Sequence, residues 1–386
     1  MPLSIEEAQT GVALSPAQKT IRSEARLFVR EQITPHADRW DREECLPSDV
    51  IRQLRNRRYL GAPLPEAFGG QGMDSVTYGL LTEELARGCS SVRSLLTVHD
   101  MVAMGVCRWG SRNLKAEFAR SICSGERLCA LALSEPNVGS DAAAVETNAQ
   151  AEANEYILNG AKKWITFGQI ADLFLVLARL ANQPTAFLVP RQTPGLICQP
   201  LRRISGTRAS MLAKLEFSDC RIPASYIVGR PGLGLSHVIA AVLDQGRYSV
   251  AWGSVGIAQA CLDACLDYTS TRKQFGVALR EHQLVSEILT NMIVDVRAAR
   301  LLCYRAGYLR NSAHPDAIAD TLAAKYFASR AAVRAANDAV QLHGANGIGD
   351  EYPVSRYLRD AKVMEIIEGS TQIQQIAIAR NPPGEM

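Results

Sequence analysis

Several common functional signatures are missing from this 386-residue chain. Its 10 cysteines contain no CxxC pair. Cys261 and Cys265 stand four apart on a predicted helix with no histidine nearby, so no metal site is expected there. The cysteines read instead as small, mostly buried apolar residues in a reducing cytoplasm. There is no GxGxxG stretch and no P-loop, and the glycines from Gly344 to Gly349 have the wrong spacing for either. Rossmann-type and nucleoside-triphosphate sites are therefore not expected. No apolar run reaches the ~18 residues of a membrane span. Residues 1–12 lack a basic segment followed by an apolar run, so no signal peptide is expected. The net charge is only +3, with no polybasic cluster to suggest a nucleic-acid or membrane partner. Tandem repeats and low-complexity segments are also absent.

What is present is 47% hydrophobic residues, enough at this length for two or three packed layers or subdomains. The first third has helical periodicity. Ser15-Pro16-Ala17-Gln18 combines an N-cap, proline in the first turn and a Gln three residues on. Ile21, Ala25, Phe28 and Val29 continue at helical spacing, and Pro35 ends or kinks that segment. Further helices are predicted at 47–58, 75–87, 95–109 and 111–123. From Leu128 the character changes to short β-prone runs at 129–133, 156–158, 173–178, 186–189 and 212–217, with Asn159-Gly160 as a hairpin-type turn. From Leu235 the chain is helical again, and Leu284, Ile288, Met292 and Val296 form an i, i+4 stripe. These patterns predict an α+β multidomain chain. It has an N-terminal helical domain (1–127), a central antiparallel, barrel-like β-domain (128–234) and a C-terminal four-helix bundle (235–386).

Glu368 follows the apolar pair Ile366-Ile367 and precedes Gly369, where a helix is expected to end, with Ser370 placed to cap the next. A carboxylate facing an apolar pocket at such a junction has a raised pKa and suits proton abstraction. A lone Glu near a helix end is more often exposed; its companions change that. They are the segments Leu133-Ser134-Glu135-Pro136-Asn137-Val138-Gly139-Ser140-Asp141, Lys163-Trp164-Ile165-Thr166, Asp244-Gln245-Gly246-Arg247, Arg272-Lys273-Gln274-Phe275-Gly276 and Gln341-Leu342-His343-Gly344-Ala345-Asn346-Gly347.

Together these segments resemble the acyl-CoA dehydrogenase family over essentially the full length. The resemblance implies an FAD-dependent dehydrogenase. In it, Glu368 removes the α-proton of an acyl thioester while flavin takes a hydride at N5. It implies flavin contacts from Ser134, Trp164, Thr166, Ser370 and Gln372. Arg272, Phe275, Gln341 and Gly344 are implied to reach a neighbouring subunit's FAD, in a homodimer or homotetramer. Ser140, Asp244 and Arg247 are implied to lie along the thioester arm. Ala345 replaces a glycine of the family pattern, and a Cβ there would weaken the pyrophosphate approach if φ were positive. His343 reads as a packing residue. Branched-chain relatives carry their base where this chain has Gly246, which leaves Glu368 as the candidate.

Arg93, in Ser91-Val92-Arg93-Ser94-Leu95-Leu96-Thr97-Val98-His99, stands where glutaryl-CoA dehydrogenases bind a distal carboxylate. The alternative is a solvated or structurally paired Arg, with Glu83 or Glu84 as the partner. Segments 89–97, 248–256 and 361–370 look like the acyl-carrier-protein dehydrogenases of methoxymalonyl/hydroxymalonyl extender-unit biosynthesis. That implies a short, hydroxylated three-carbon thioester on an acyl carrier protein. The alternatives are a short-chain or glutaryl-type acyl-CoA dehydrogenase feeding an electron-transfer flavoprotein, and a non-catalytic flavoprotein scaffold.

Overall fold

A computed structural model describes residues 13–380. The signal-peptide expectation for residues 1–12, like residues 381–386, lies outside the described residues. Among the described residues, six α-helices come first: α1 (Pro16–Phe28), α2 (Ala37–Glu43), α3 (Ser48–Asn56), α4 (Ser75–Gly88), α5 (Ser90–Trp109) and α6 (Arg112–Cys123). The expected capping box opens α1. Ser15 Oγ accepts the Gln18 N–H at 3.2 Å, and Gln18 Oε1 accepts the Ser15 N–H at 3.0 Å. Beyond Phe28 the backbone passes through a π-turn (Val29–Ile33) and a 3-10 turn (Thr34–His36) that holds Pro35. Helix α5 starts at Ser90, earlier than the predicted 95, because its N-cap Cys89 makes no side-chain capping bond that sequence could reveal. Arg93 is thereby inside the first turns of that helix.

The middle segment forms β1 (Cys129–Ala132), β2 (Asn148–Glu152), β3 (Glu155–Ile165), β4 (Leu173–Leu180), β5 (Gln183–Pro190), β6 (Leu196–Pro200), β7 (Ala213–Pro223) and β8 (Ile227–Val228). Their order is β6-β7-β3-β2-β4-β5-β8, with β1 also on β4. Most pairings are antiparallel, but β1 and β2 both run parallel to β4, so the sheet is mixed and not wholly antiparallel. The Asn159-Gly160 turn is corrected: both residues lie within β3. Gly160 sits at a bulge against β7, and a Cβ there would lie 2.7 Å from Thr147 Cα. Asn159 exchanges two hydrogen bonds with Asp219 of β7, at 3.0 and 2.8 Å. The β2–β3 hairpin instead turns at Ala153-Asn154, where Ala153 has φ 49°. Strand β2 escaped prediction because only Ala149 of its five residues is buried.

The last segment contains α7 (Ala240–Thr271), a hairpin of β9 (Lys273–Gln274) and β10 (Val277–Ala278), then α8 (Gln283–Asn311), α9 (Ala317–His343), α10 (Val354–Met364) and α11 (Thr371–Arg380). Helices α7 to α10 share a core that includes Ile257, Cys261, Met292, Val296, Ala336 and Met364. Leu284 of the predicted α8 stripe is exposed, whereas Met292 and Val296 are buried. Helix α7 is apolar enough in composition to match a membrane span, but it is the central, mostly buried strut of the molecule. It packs on α4 and α5 as well as on the bundle. Trp252 of α7 meets Tyr304 of α8 edge-on at 5.0 Å.

Polar contacts fix α10 against the other two segments. Arg356 Nε pairs with Asp38 of α2 at 2.7 Å, and Arg359 with Asp41 at 2.6 Å. Asp360, fully enclosed, accepts the Thr207 N–H at 2.6 Å. A Cβ on Gly206 would fall 2.1 Å from the Arg359 carbonyl oxygen, so the 203–210 loop lies directly on α10.

Candidate active site

Glu368 is held by its backbone and aimed by its neighbours. Helix α10 stops at Met364, not at Gly369 as expected, and a turn then carries the chain to Ser370. Within it Glu368 has φ 55° and Gly369 has φ 92°, consecutive left-handed residues that reverse the chain. Ser370 Oγ accepts the Ile373 N–H at 3.4 Å, a long capping bond for α11. Arg247 Nε and Gln374 Nε2 donate to the Glu368 carbonyl at 3.1 and 3.2 Å. Lys325 Nζ donates to the Gly369 carbonyl at 2.7 Å. Sequence gave no local sign of Lys325 or Gln374, which come from α9 and α11.

The carboxyl group lies against Gly246 of α7. A Cβ at 246 would be 2.6 Å from Glu368 Oε2 and 2.7 Å from Met101 Sδ. Oε2 is buried without a hydrogen-bond partner, although part of the residue's surface remains accessible. Burial pushes the Glu368 carboxyl up to about 7, against the opposing pull of Arg247, Lys325 and Arg93. The Lys325 ammonium is pushed down to about 8, again by burial, with Glu368 partly restoring it.

The middle domain presents the second face. The Lys163 N–H donates to the Ser134 carbonyl at 2.8 Å, which joins the two motifs. Beneath them, Lys162 and Glu135 form a completely enclosed ion pair at 2.7 Å. Glu135 also accepts the N–H groups of Glu146 and Thr147 at 2.6 and 2.9 Å. Neither Lys162 nor Glu135 was singled out from sequence, although both lie in or beside the quoted motifs. Trp164, at φ 66°, stands 52% exposed, with Lys163 Nζ 4.9 Å from its ring centre. Thr166 is half-buried. The next residue, Phe167, donates to the Ser210 carbonyl at 2.8 Å and enters the core that contains Leu95 and Trp252. The loop holding Ser210 reaches α10 through Thr207, which connects this face to the Glu368 helix.

These residues fit a planar ring system. A large indole is left uncovered beside Ser134 and Thr166, and Gly139 faces open space. Ser370 and Gln372 line a cleft of about 350 Å³ together with Arg330, Glu365 and Ile366. Arg272 and Phe275 are on the exposed β9–β10 hairpin, and Gln341 and Gly344 are at the exposed end of α9. Tyr268 brings these two ends together. Its ring stacks on His343 at 4.2 Å, and its hydroxyl accepts from Asn346 at 2.9 Å. His343, 3% exposed, is a packing residue as expected, with Nδ1 2.8 Å from the Ala339 carbonyl. Ala345 lies in a 3-10 turn without a positive φ, so its Cβ introduces no backbone strain.

Of the residues implied to lie along the thioester arm, Asp244 is engaged by Arg310, which also reaches Gln245 Oε1 at 2.7 Å. Ser140 is exposed beyond β1. Arg247 is taken up by the Glu368 carbonyl. Arg93 is 1% exposed, and its nearest partners are all uncharged: Thr97 Oγ1 at 3.3 Å, Ser90 Oγ at 3.4 Å and Met364 Sδ at 3.0 Å. Its Nε has no partner. The pairing with Glu83 or Glu84 is not formed, because Arg300 takes Glu83 at 2.7 Å and Arg26 takes Glu84 at 2.6 Å. Burial lowers Arg93 to about 10 despite the fields of Glu368 and Tyr78. A cavity of about 130 Å³ opens between α4, α5 and α7, lined among others by Leu64, Met73, Tyr78, Met104 and Gln245.

Three family models match in sequence. They are the acyl-CoA dehydrogenase N-terminal domain at residues 15–126, its middle domain at 130–220 and its C-terminal domain at 232–382. The mitochondrial short-chain specific acyl-CoA dehydrogenase of Homo sapiens is 36% identical over 374 residues, covering 95% of this chain and 90% of the human protein. Glutaryl-CoA dehydrogenase from Mycobacterium smegmatis superposes with a TM-score of 0.93 at 30% identity, covering 98% of this chain and 99% of that one. FkbI, a protein for biosynthesis of the methoxymalonyl extender unit of a polyketide, superposes at 0.85 with 32% identity, covering 93% and 98%. The chain belongs to the acyl-CoA dehydrogenase family and is an FAD-dependent oxidoreductase.

Proposed function

We propose that this protein oxidises a short, hydroxylated three-carbon acyl thioester carried on an acyl carrier protein, with Glu368 as the base. Arg93 is the observation that carries the reading. A guanidinium this enclosed, with only neutral partners, is unfavourable unless a polar or anionic group joins it. The cavity supports a short acyl group, since about 130 Å³ is small against the ~300–1,000 Å³ of ordinary ligand clefts. The likeness to FkbI agrees with a carrier-bound extender-unit precursor.

In this reading the half-dry Glu368 carboxylate takes the acidic proton next to the thioester carbonyl, and the Glu368 N–H holds that carbonyl. Gly246 leaves room for the carboxyl to approach. Trp164, Thr166 and Ser134 would hold the flavin ring. Bound FAD supplies the two-electron oxidant. Arg272, Phe275, Gln341 and Gly344 would hold the cofactor's pyrophosphate and adenine parts from a second copy of the chain, and an electron-transfer flavoprotein is a candidate acceptor.

A second reading is a short-chain or glutaryl-type acyl-CoA dehydrogenase. The human short-chain and mycobacterial glutaryl-CoA enzymes match equally well, and Leu64, Met73 and Met104 give the cavity apolar walls. Flavin bleaching by butyryl-CoA and glutaryl-CoA should be compared with bleaching by hydroxylated three-carbon thioesters on CoA and on a loaded carrier protein. Faster reduction by the carrier-bound hydroxyacids supports the proposal. Fast reduction by butyryl-CoA with none by the carrier-bound acids replaces it with the second reading.

A further inference from the structure

The cavity between α4, α5 and α7 has mixed walls, with Leu64, Met73 and Met104 facing Ser75, Tyr78, Gln245 and Tyr248. Tyr78 of α4 lines it and is 1% exposed, and its hydroxyl makes no hydrogen bond. Asp100 of α5 is fully buried. Its Oδ1 accepts the Gly61 N–H at 2.7 Å, and its Oδ2 has no partner. Gly61, at φ 82°, would place a Cβ 2.1 Å from the Cys123 carbonyl, so this anchoring loop sits tightly on α6 and Asp100 cannot easily turn away.

The Tyr78 hydroxyl interacts with the Asp100 carboxyl, Ser249 and Gln245, although none of them gives it a hydrogen bond of good geometry. Ser249 Oγ is 2.6 Å from Thr97 Oγ1, which leads to Arg93. A continuous polar seam therefore runs from the cavity down to the enclosed guanidinium.

We infer that Tyr78, backed by Asp100, is the specificity-determining wall of the acyl cavity, recognising a hydroxyl group on the acyl chain. The inference rests on the thioester-oxidising reading above and names two residues that select within it. Burial raises both groups and so favours their neutral forms. The pair can then donate to a hydroxyl oxygen and accept its proton without placing a new charge in the cavity. An acyl chain lacking the hydroxyl would leave these atoms dry, and sites built around a substrate hydroxyl reject the deoxy analogue strongly.

The test uses the FAD-loaded enzyme, as wild type, Tyr78→Phe and Asp100→Asn. Binding of redox-inert thioether analogues of hydroxypropionyl-CoA and propionyl-CoA is measured by calorimetry. Flavin bleaching by the matching thioesters is followed in parallel. Wild type should bind the hydroxylated thioether about 100-fold more tightly than the deoxy one. Tyr78→Phe should cut that ratio to within about 10-fold, by weakening the hydroxylated ligand and sparing or improving the deoxy one. Asp100→Asn keeps an acceptor for Gly61 and should shift the ratio the same way if Tyr78→Phe folds poorly. Equal affinities in wild type, or a parallel loss of both ligands in the variants, would overturn the inference. Ordered water satisfying Tyr78 and Asp100 would show up as those equal affinities. Failure of every thioester to bleach the flavin would instead sink the thioester reading, while the calorimetry still decides this one.

Discussion

Glu368 combines an accessible edge with a carboxyl oxygen that no donor reaches, and its chemistry follows from that conflict. The protonated form is favoured until about pH 7, so thioester-dependent flavin bleaching should rise with pH through that value. Glu368→Gln should lower the bleaching rate by ~10²–10⁴-fold while FAD stays bound. Retention of full rate with the true substrate would remove Glu368 from its role. The same shift acts on stability. The folded pKa lies above the ordinary carboxyl value, so the native state binds more protons between the two. The contribution is complete below the ordinary value and is lost as pH rises through about 7, and a pH series of melting temperatures should be flatter in Glu368→Gln. Gly246 tests the geometry: Gly246→Ala puts a methyl 2.6 Å from Oε2 and 2.7 Å from Met101 Sδ. It should depress bleaching far more than it lowers the melting temperature.

At the scale of elements, strand ends and helix ends hold the site. The enclosed Lys162–Glu135 pair locks the segment after β1 beneath β3, and it also satisfies the turn at Glu146 and Thr147. Glu135→Ala would leave Lys162 buried and unpaired. The expected loss is about 3–5 kcal/mol of stability, together with weaker FAD retention, read by thermal melting and by flavin fluorescence on dilution. Local chemistry made some of these elements visible in advance. Ser15 and Gln18 carry their own capping box, and that start needs no tertiary help. Asn159-Gly160 misled because the same dipeptide that makes hairpin turns also suits a bulge, and β7 decided between them. The end of α10 was misplaced because Lys325, Arg247 and Gln374 stabilise the turn from other helices.

For the whole molecule, several large apolar residues stand exposed on the outer surface. Phe275 is 96% exposed at the tip of its hairpin. On α8, Val294, Leu301 and Tyr308 repeat every seven residues, with exposures of 58%, 47% and 43%. Exposed apolar residues on this spacing suit a partner helix. We expect a homodimer or homotetramer in which the hairpin meets a second copy. Phe275→Ser should lower the assembly state in sedimentation and loosen FAD without altering the monomer's helical content. A monomeric wild type that keeps FAD tightly would exclude this arrangement.

The candidate site residues stood out in the chain because each is embedded in its own short motif: Glu368 before Gly369, Ser134 in its loop, Trp164 near the end of β3 with Thr166 just beyond it. Hydrophobic periodicity likewise marked the helical, β and helical succession, since burial on one face imposes it locally. Folding alone decided which charges would have partners. Glu83 and Glu84 lie ten and nine residues before Arg93 in sequence but face Arg300 and Arg26 in space. Asp244 went to Arg310, and Tyr78 and Asp100 gained their shared position from two separate helices. Pairing energies depend on distance and on exclusion of water, and both are set only when distant segments pack.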